Sequence, residues 1–176
     1  FDAVGRLKAQ TDTAGRTTEY SPDVVTGLIT RITTPDGRAS AFYYNHHSQL
    51  TSATGPDGLE IRREYDELGR LIQETAPDGD ITRYRYDNPH SDLPCATDDA
   101  TGSRKTMTWS RYGQLLSFTD CSGYVTRYDH DRFGQMTAVH REEGLSQYRA
   151  YDSRGQLIAV KDTQGHETRY EYNIAG

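Results

Sequence analysis

The sequence has few of the features that usually point to chemistry or to a membrane. It contains two cysteines and one tryptophan in 176 residues, and only 34% of its residues are hydrophobic. Cys95 and Cys121 are too few for a disulfide framework, so we expect two free thiols. No apolar run approaches the roughly 18 residues that a transmembrane helix needs, and we therefore expect no membrane span.

Charge is not concentrated anywhere in the chain either. The net charge of -6 comes from 26 acidic and 20 basic residues without a basic block. A nucleic-acid surface needs clustered lysine and arginine, so we expect no nucleic-acid partner. The first residue, Phe1, stands in the middle of a recurring pattern, with no initiating methionine and no signal peptide. We interpret the sequence as a fragment of a longer protein.

Glycine and tyrosine are abundant instead, with 16 and 13 copies, and the glycines are periodic. An anchor position recurs every 21 to 23 residues, and a second glycine follows ten residues after each of the first eight anchors. The anchors are Gly5, Gly27, Ser48, Gly69, Asp92, Gly113, Gly134, Gly155 and Gly176. The second glycines are Gly15, Gly37, Gly58, Gly79, Gly102, Gly123, Gly144 and Gly165. This spacing predicts a single array of about eight repeats over residues 1–176.

Apolar and aromatic residues keep fixed distances from the anchors. Two residues after the anchor stand Leu7, Ile29, Leu50, Leu71, Leu115, Met136 and Leu157, with Pro94 as the exception. Four residues before the anchor stand Phe1, Tyr44, Tyr65, Trp109, Tyr151 and Tyr172, with His130 as a substitute. A further aromatic row holds Phe42, Tyr84, Tyr128 and Tyr170, and Tyr20 and Tyr86 join these rows in the longer units.

Each unit carries turn chemistry at two places. Pro-Asp-Gly occurs at residues 35–37, 56–58 and 77–79. Proline presets φ at the second turn position, and glycine accepts the left-handed conformation that ends a type I turn with a bulge. At the anchors, Asp-x-x-Gly has an aspartate that caps the turn, as in Asp2 and Asp66. About six residues separate successive turns, which is close to the usual strand length.

The pattern predicts an all-β fold of tandem β-hairpins, one hairpin per repeat of about 21 residues. Tyr84 and Tyr86 are two residues apart and share a strand face, whereas helical spacings of three and four do not occur. The eight units give sixteen strands in one long antiparallel sheet. Open sheets rarely exceed about ten strands without curling, so we expect a coiled, solenoid-like or shell-like strip.

Two segments make a family resemblance specific. YDELGRL with PDG ten residues later, and AYDSRGQL with TQG, resemble the YD repeats of the Rhs (rearrangement hotspot) family. That family is related to the shell-forming component of bacterial Tc toxins and to the teneurins. The resemblance covers the full chain, because both glycine columns, the Tyr-Asp pair and the apolar column agree, and it fits a bacterial Rhs core protein best.

The resemblance implies a structural role. Family members form a long β-strip that spirals into a hollow shell around a toxic C-terminal domain. Many are polymorphic toxins delivered by type VI secretion in bacterial competition. The implied partners are the remainder of the parent shell, its enclosed toxin domain and a secretion-apparatus protein. The implied location is the bacterial cytoplasm before secretion, and afterwards the outside or the target cell. The autocleavage motif of the family contains Asp-Pro, which this sequence lacks.

Residues that could carry catalysis or bind metal have simpler explanations. Asp2, Asp66, Asp87, Asp131 and Asp152 cap turns and lie about 10 Å apart, beyond the separation of a glycosidase carboxylate pair. His46 and His47 are about 19 Å from His90, too far to share a zinc ion. His130 stands in an aromatic column. No nucleotide-binding motif occurs. We therefore expect no enzyme activity, no catalytic, cofactor-binding or metal-binding residues, and no cofactor.

The tyrosine rows leave one alternative function open. Aromatic rings on a β-surface can stack on sugars, so a carbohydrate- or cell-surface-binding module that uses exposed tyrosines is the second hypothesis. The short aromatic repeats of cell-wall-binding proteins are rich in tryptophan, however, and this chain has only Trp109. Packing of tyrosine against leucine explains the same rows without a ligand.

Overall fold

The computed structural model describes residues 1–174, and these residues form sixteen β-strands joined by tight turns. One 3-10 turn occurs at Glu142–Gly144, and the described residues contain no α-helix. The strands are β1 (Ala9–Thr11), β2 (Thr17–Pro22), β3 (Ile29–Thr33), β4 (Ala39–Tyr44), β5 (Leu50–Thr54), β6 (Glu60–Tyr65), β7 (Leu71–Thr75), β8 (Ile81–Arg85), β9 (Ala96–Asp98), β10 (Arg104–Trp109), β11 (Leu115–Thr119), β12 (Val125–His130), β13 (Met136–His140), β14 (Ser146–Tyr151), β15 (Leu157–Asp162) and β16 (Glu167–Arg169).

Strand order follows the chain, and all pairings are antiparallel. The chain divides into two units, Phe1–Arg83 and Tyr84–Gly176. In the first unit each strand pairs with the next from β1 to β8, and in the second unit the same holds from β9 to β16. Every strong contact between strands joins neighbours in sequence. The predicted all-β fold of tandem hairpins is confirmed.

Seven of the eight second turns have the predicted geometry, and the turn at Gly144 differs because Glu143 is left-handed as well. In the turn at residues 34–38, the Gly37 N–H donates to the Thr34 carbonyl at 2.9 Å, and the Thr34 N–H donates to the Arg38 carbonyl at 2.8 Å. Gly37 has a φ of 81°, which only glycine adopts at little cost. All eight second glycines have positive φ. This recurring backbone conformation explains why the glycine column has no exceptions.

The anchor turns agree with the prediction at all described positions except one. Six anchor glycines have positive φ, and Ser48 adopts the same conformation with a φ of 63°. Asp92, predicted as an anchor, does not. In that 23-residue unit the turn forms earlier, where the Ser91 N–H donates to the Asn88 carbonyl at 3.1 Å. Two prolines in the loop, Pro89 and Pro94, lack the N–H that the regular pattern needs. The predicted anchor at Gly176 lies outside the described residues.

Few side chains of the protein are buried. Among the described residues only Ala96, Ala138 and Val139 are buried hydrophobics. The accessible surface is 12532 Å², whereas two separate compact bodies, each of half the mass, would expose only about 10,400 Å² in total. The core is therefore thin, in keeping with a chain of which only 34% is hydrophobic, and much of each strand face is left for solvent or for another surface.

A side-chain hydrogen bond recurs between residues that are 15 positions apart. The aromatic residue four before an anchor donates to the carbonyl of the residue two after the preceding anchor. The bonds are Tyr44 to Ile29 (2.7 Å), Tyr65 to Leu50 (2.7 Å), Trp109 to Pro94 (2.8 Å), Tyr151 to Met136 (2.6 Å) and Tyr172 to Leu157 (2.6 Å). We call this set the tyrosine ladder.

The carbonyls that accept the ladder hydrogen bonds lie just beyond the paired residues of two neighbouring strands. The register between β3 and β4 starts at Arg31 and Ala41, so the Ile29 carbonyl lies beyond the paired part of these strands. The Tyr44 hydroxyl supplies a donor there. The registers of β5 with β6 and of β13 with β14 leave Leu50 and Met136 in the same position. The aromatic column is therefore required for a hydrogen bond as well as for packing.

Removal of one ladder hydroxyl should destabilise the protein measurably. Tyr44→Phe keeps the ring but leaves the Ile29 carbonyl without this donor, and we expect a loss of about 1 kcal/mol in the free energy of unfolding. Tyr43→Phe is the matched control, because Tyr43 is 60% exposed on the opposite strand face, and we expect a change within about 0.5 kcal/mol. Urea unfolding followed by circular dichroism measures both. Equal effects of the two substitutions would show that the ladder bond contributes nothing.

Candidate functional site

The turns lie at two opposite ends of the hairpins, and each end forms an edge with its own chemistry. We call the row of turns at the anchors the anchor edge, and the row at the second glycines the second-turn edge. In most anchor turns one carboxylate or amide oxygen accepts two backbone N–H groups. Asp66 Oδ1 accepts from Leu68 and Arg70 at 3.0 and 2.9 Å. Turn capping by Asp2, Asp66, Asp131 and Asp152 is confirmed.

The remaining member of the aspartate column behaves differently. In the 23-residue unit Asn88, the residue after Asp87, accepts the capping N–H of His90 at 2.9 Å. Sequence reasoning also missed that the same cap recurs on the second-turn edge. Asp12, Asp99, Asp120 and Asp162 each accept the N–H groups two and four residues later. The Asp-x-x-Gly spacing at these four positions would have predicted these caps from the sequence.

Open grooves recur between successive turns of the anchor edge. Four of them occupy equivalent places in their repeats and have volumes of 570, 680, 580 and 460 Å³. Each is lined by one anchor turn and by the end of the next repeat's strand. The groove between the turns at Gly134 and Gly155 contains Arg132, Phe133, Arg149, Tyr151 and Arg154. The grooves repeat because the hairpins repeat, and their linings differ both at the tips and at strand positions such as Glu19, Arg63 and Arg149.

The exposed tips of the anchor turns carry large apolar and basic side chains. In the first unit these include Val4, Val24, Val25, His47 and Leu68, and in the second unit Arg111, Tyr112, Arg132, Phe133 and Arg154. Tyr112 and Phe133 are 72% and 73% exposed. The guanidinium groups of Arg111 and Arg132 each lie 4.7 Å from the neighbouring ring centroid, within cation–π range.

The tips of the second-turn edge are polar or acidic. Pro-Asp forms three consecutive tips in the first unit, at Asp36, Asp57 and Asp78, and Glu142 and Glu143 form one in the second. The second-turn tips contain no arginine, lysine or large apolar residue. The tip residues of the two edges therefore differ, with large apolar or basic residues at most anchor tips and none at the second-turn tips. Leu59, Tyr124 and Leu145, one residue after a second glycine, are nevertheless exposed.

One polar cluster on the strands resembles a hydrolase triad. His140 Nδ1 lies 2.9 Å from Ser146 Oγ, and His140 Nε2 lies 2.8 Å from Asp129 Oδ2. Antiparallel pairing brings these residues together, because His140 is directly opposite Ser146 across β13 and β14. Their separations in sequence gave no signal for this proximity. A serine nucleophile also needs backbone donors for the oxyanion. The Ser146 N–H already donates to Thr163 Oγ1 at 2.6 Å. We interpret the cluster as a cross-link between β12, β13 and β14.

The other residues considered from the sequence are dispersed. Cys95 and Cys121 are free thiols, one half-buried and one exposed. Within residues 1–174, no group of three histidine, cysteine, aspartate or glutamate side chains is placed to hold a metal ion. Tyr84 and Tyr86, two members of the tyrosine rows that could have offered rings to a sugar, are half-buried rather than exposed. No helix in the described part of the chain is long and apolar enough to cross a membrane.

Comparison with known proteins assigns the chain to a family. The model of the RHS repeat matches residues 1–39, 25–60, 65–104, 109–146 and 151–176, which together are most of the chain. The chain belongs to the RHS repeat family. A curated relative, double-stranded DNA deaminase toxin A of Burkholderia cenocepacia (strain H111), is 47% identical over 62 residues. That match covers 35% of this RHS repeat chain and 4% of the toxin.

Solved structures share the fold of this RHS repeat chain. The crystal structure of TcdB2–TccC3–Cdc42 matches with a TM-score of 0.69 and 15% identity, over 88% of this chain and 10% of that one. The Tc holotoxin pore of Photorhabdus luminescens matches with a TM-score of 0.67 and 15% identity, over 88% of this chain and 9% of that one. At this identity the likeness shows the fold alone. The chain spans a small part of the relatives that it matches.

His130 interrupts the tyrosine ladder of this RHS repeat array. It stands four residues before Gly134, in the position that tyrosine or tryptophan occupies in neighbouring repeats. Its Nδ1 is buried and has no hydrogen-bond partner among the described residues. The register of β11 with β12 leaves the Leu115 carbonyl beyond the paired residues, as at the other ladder positions. An imidazole is shorter than a phenol, which explains why the bond to Leu115 is not made.

Replacement of His130 by tyrosine should therefore stabilise the protein. The phenol hydroxyl of His130→Tyr would reach the Leu115 carbonyl and would remove a buried unpartnered nitrogen. We expect a gain of about 1–2 kcal/mol in the free energy of unfolding, measured by urea titration. His46→Tyr in an exposed turn is the control and should leave stability unchanged. A His130→Tyr variant that folds with wild-type or lower stability would contradict this account of the ladder.

Asp36 gives the second-turn edge a testable pH dependence. The Thr34 hydroxyl and the Arg38 guanidinium lower the pKa of Asp36 to about 2. An unfolded aspartate has a pKa of about 3.9. Because the folded pKa is the lower one, this carboxylate stabilises the fold above about pH 4, and the contribution is lost as pH falls from about 4 to about 2.

Asp36→Asn should destabilise the protein at pH 7 and have little effect near pH 2. Chemical unfolding of wild type and variant at pH 7, 4 and 2.5 measures the difference. Thr34→Val removes the hydroxyl donor while keeping the side-chain shape, so it should reproduce part of the same pH-dependent loss. A difference between wild type and Asp36→Asn that stays constant from pH 7 to pH 2.5 would exclude this mechanism.

Proposed function

We propose that this RHS repeat segment is wall material of a polymorphic toxin shell that encloses a C-terminal toxin domain. The observation that carries the proposal is the unbroken neighbour-to-neighbour pairing within each unit, closed by the tyrosine ladder where backbone pairing stops. Such a strip leaves few gaps for a protease. The RHS repeat match, the deaminase toxin relative and the fold likeness to Tc toxin components support the same role.

A wall needs no catalytic or ligand-binding residue in the segment itself. The wall would separate the enclosed domain from solvent and from proteases by its continuity. Its partners would be the remainder of the parent shell, the enclosed toxin domain and a secretion-apparatus protein. The parent protein would be made in the bacterial cytoplasm and then secreted or delivered, by type VI secretion, to competing cells.

Protease protection in the parent protein tests the shell role. Tyr65→Ala and Tyr151→Ala each remove a ladder bond and its ring, so the wall should open more often. We expect the C-terminal domain to be cleaved roughly tenfold faster for each 1.4 kcal/mol of lost opening free energy. Tyr43→Ala, at an exposed ring, is the matched control and should leave cleavage unchanged. A C-terminal domain that is cleaved rapidly in the wild-type parent, and no faster in the ladder variants, would contradict encapsulation.

Carbohydrate or cell-surface binding is the second candidate. The recurring grooves favour it, because a tyrosine ring and polar side chains line each of them. The ladder hydroxyls are already engaged by carbonyls, so recognition would depend on exposed rings such as Tyr112. If the segment is only shell wall, a glycan array should show no binding. Saturable binding that is lost in Tyr112→Ala would favour carbohydrate binding instead.

A further inference from the structure

The anchor edge of the second unit repeats a basic tip. Arg111, Arg132 and Arg154 stand in three successive anchor turns, 21 and 22 residues apart. Two of them stack on exposed aromatic rings, Tyr112 and Phe133. Asp131 and Asp152, at the base of two of these turns, each direct one oxygen, Oδ1, to backbone N–H groups. The groups at the tips themselves are arginines and exposed aromatic rings.

The second-turn edge of the first unit repeats an acidic tip. Asp36, Asp57 and Asp78 stand in three successive second turns, 21 residues apart, and each follows a proline. All three are exposed. Arg38 pairs with Asp36 and offsets part of the charge of that tip, whereas Asp80 follows Asp78 and adds to it. The exposed tips of this edge are therefore anionic, and a proline ring is adjacent in sequence to each carboxylate.

The two edges also match in spacing. Each repeat contributes two strands, so tips on either edge recur at about 9.6 Å. Three acidic tips on one edge can therefore meet three basic tips on the other without a mismatch in period. The groove between the basic tips at Arg132 and Arg154 is open and has a volume of 580 Å³. It can accept a protruding Pro-Asp tip, with the proline ring against Phe133 and the carboxylate near an arginine.

We propose that the anchor edge of the second unit binds the second-turn edge of the first unit in another copy of this chain. Because the two surfaces differ, the contact is heterologous, and it leaves one edge of each kind free for the next copy. Association can then continue head to tail or close into a ring. The proposal concerns only these edges and is independent of the toxin-shell role.

Concentration and salt give the first test. Exposed charge pairs are weak and screened, so we expect association near 0.3 mM protein at low salt and its loss at about 0.5 M salt. In sedimentation velocity the average mass should rise with concentration above the monomer mass of 19.9 kDa. A mass that stays monomeric at every concentration and salt level would overturn the proposal.

Charge reversal gives the specific test. The variant R111E/R132E/R154E and the variant D36K/D57K/D78K should each be monomeric, because each brings like charges together. A mixture of the two should associate again, because the reversed edges complement one another. The control R31E/R83E/R127E makes the same charge change at exposed strand positions and should associate as the wild type does.

Pairing through the terminal strands is the competing mode of association. Unpaired edge strands recruit other chains through backbone hydrogen bonds, which none of these substitutions touches. Association of all variants to the same extent, or no recovery in the mixture, would therefore overturn the proposal. Circular dichroism of each variant confirms that the hairpins remain folded.

Discussion

The left-handed turn residue that ends each short strand is the constraint on which the rest of this structure depends. Glycine occupies nearly every such position, and Ser48 is the one anchor that adopts it with a side chain. Because the chain reverses after three to six residues, each strand presents only one to three side chains to either face. A unit of this size cannot bury a core. Its stability has to come from the strands on both sides, as in other repeat proteins.

Because each hairpin depends on its neighbours, the contacts between successive repeats are critical for stability. Backbone pairing stops before the anchor edge, and a side-chain donor takes over at the carbonyls left there. Phenylalanine could pack in the same position but could not donate. This favours tyrosine over phenylalanine at the ladder positions Tyr44, Tyr65, Tyr151 and Tyr172. It also explains why tryptophan is tolerated at Trp109, where the indole N–H reaches the Pro94 carbonyl. Histidine at His130 fills the space but loses the bond.

Local rules made most of the fold predictable. Glycine conformation, Asp-x-x-Gly capping and strand length act within a few residues, so the sixteen strands and both turn columns followed from the sequence. Prediction failed at Asp92, where two extra residues and two prolines moved the turn to Asn88. It also missed the His140, Ser146 and Asp129 cluster and the tyrosine ladder. Both depend on the exact register of three neighbouring strands, in which a bulge beside the anchor shifts the pairing by one residue, whereas the turn residues alone give only the position of each turn.

The contrast between the two edges is not explained by folding. Tip positions of a type I turn point away from the strands, and the capping oxygens and glycines already define the backbone there. Large apolar residues at such tips are a liability in a chain whose mean hydropathy is -0.87. Leu68, Tyr112 and Phe133 nevertheless stand at anchor tips, whereas Leu59, Tyr124 and Leu145 are exposed one residue after the second glycines. The fold requires a turn at each of these positions because the strands are short. It does not require a large apolar residue at the tip, since a side chain at the tip points away from the strands.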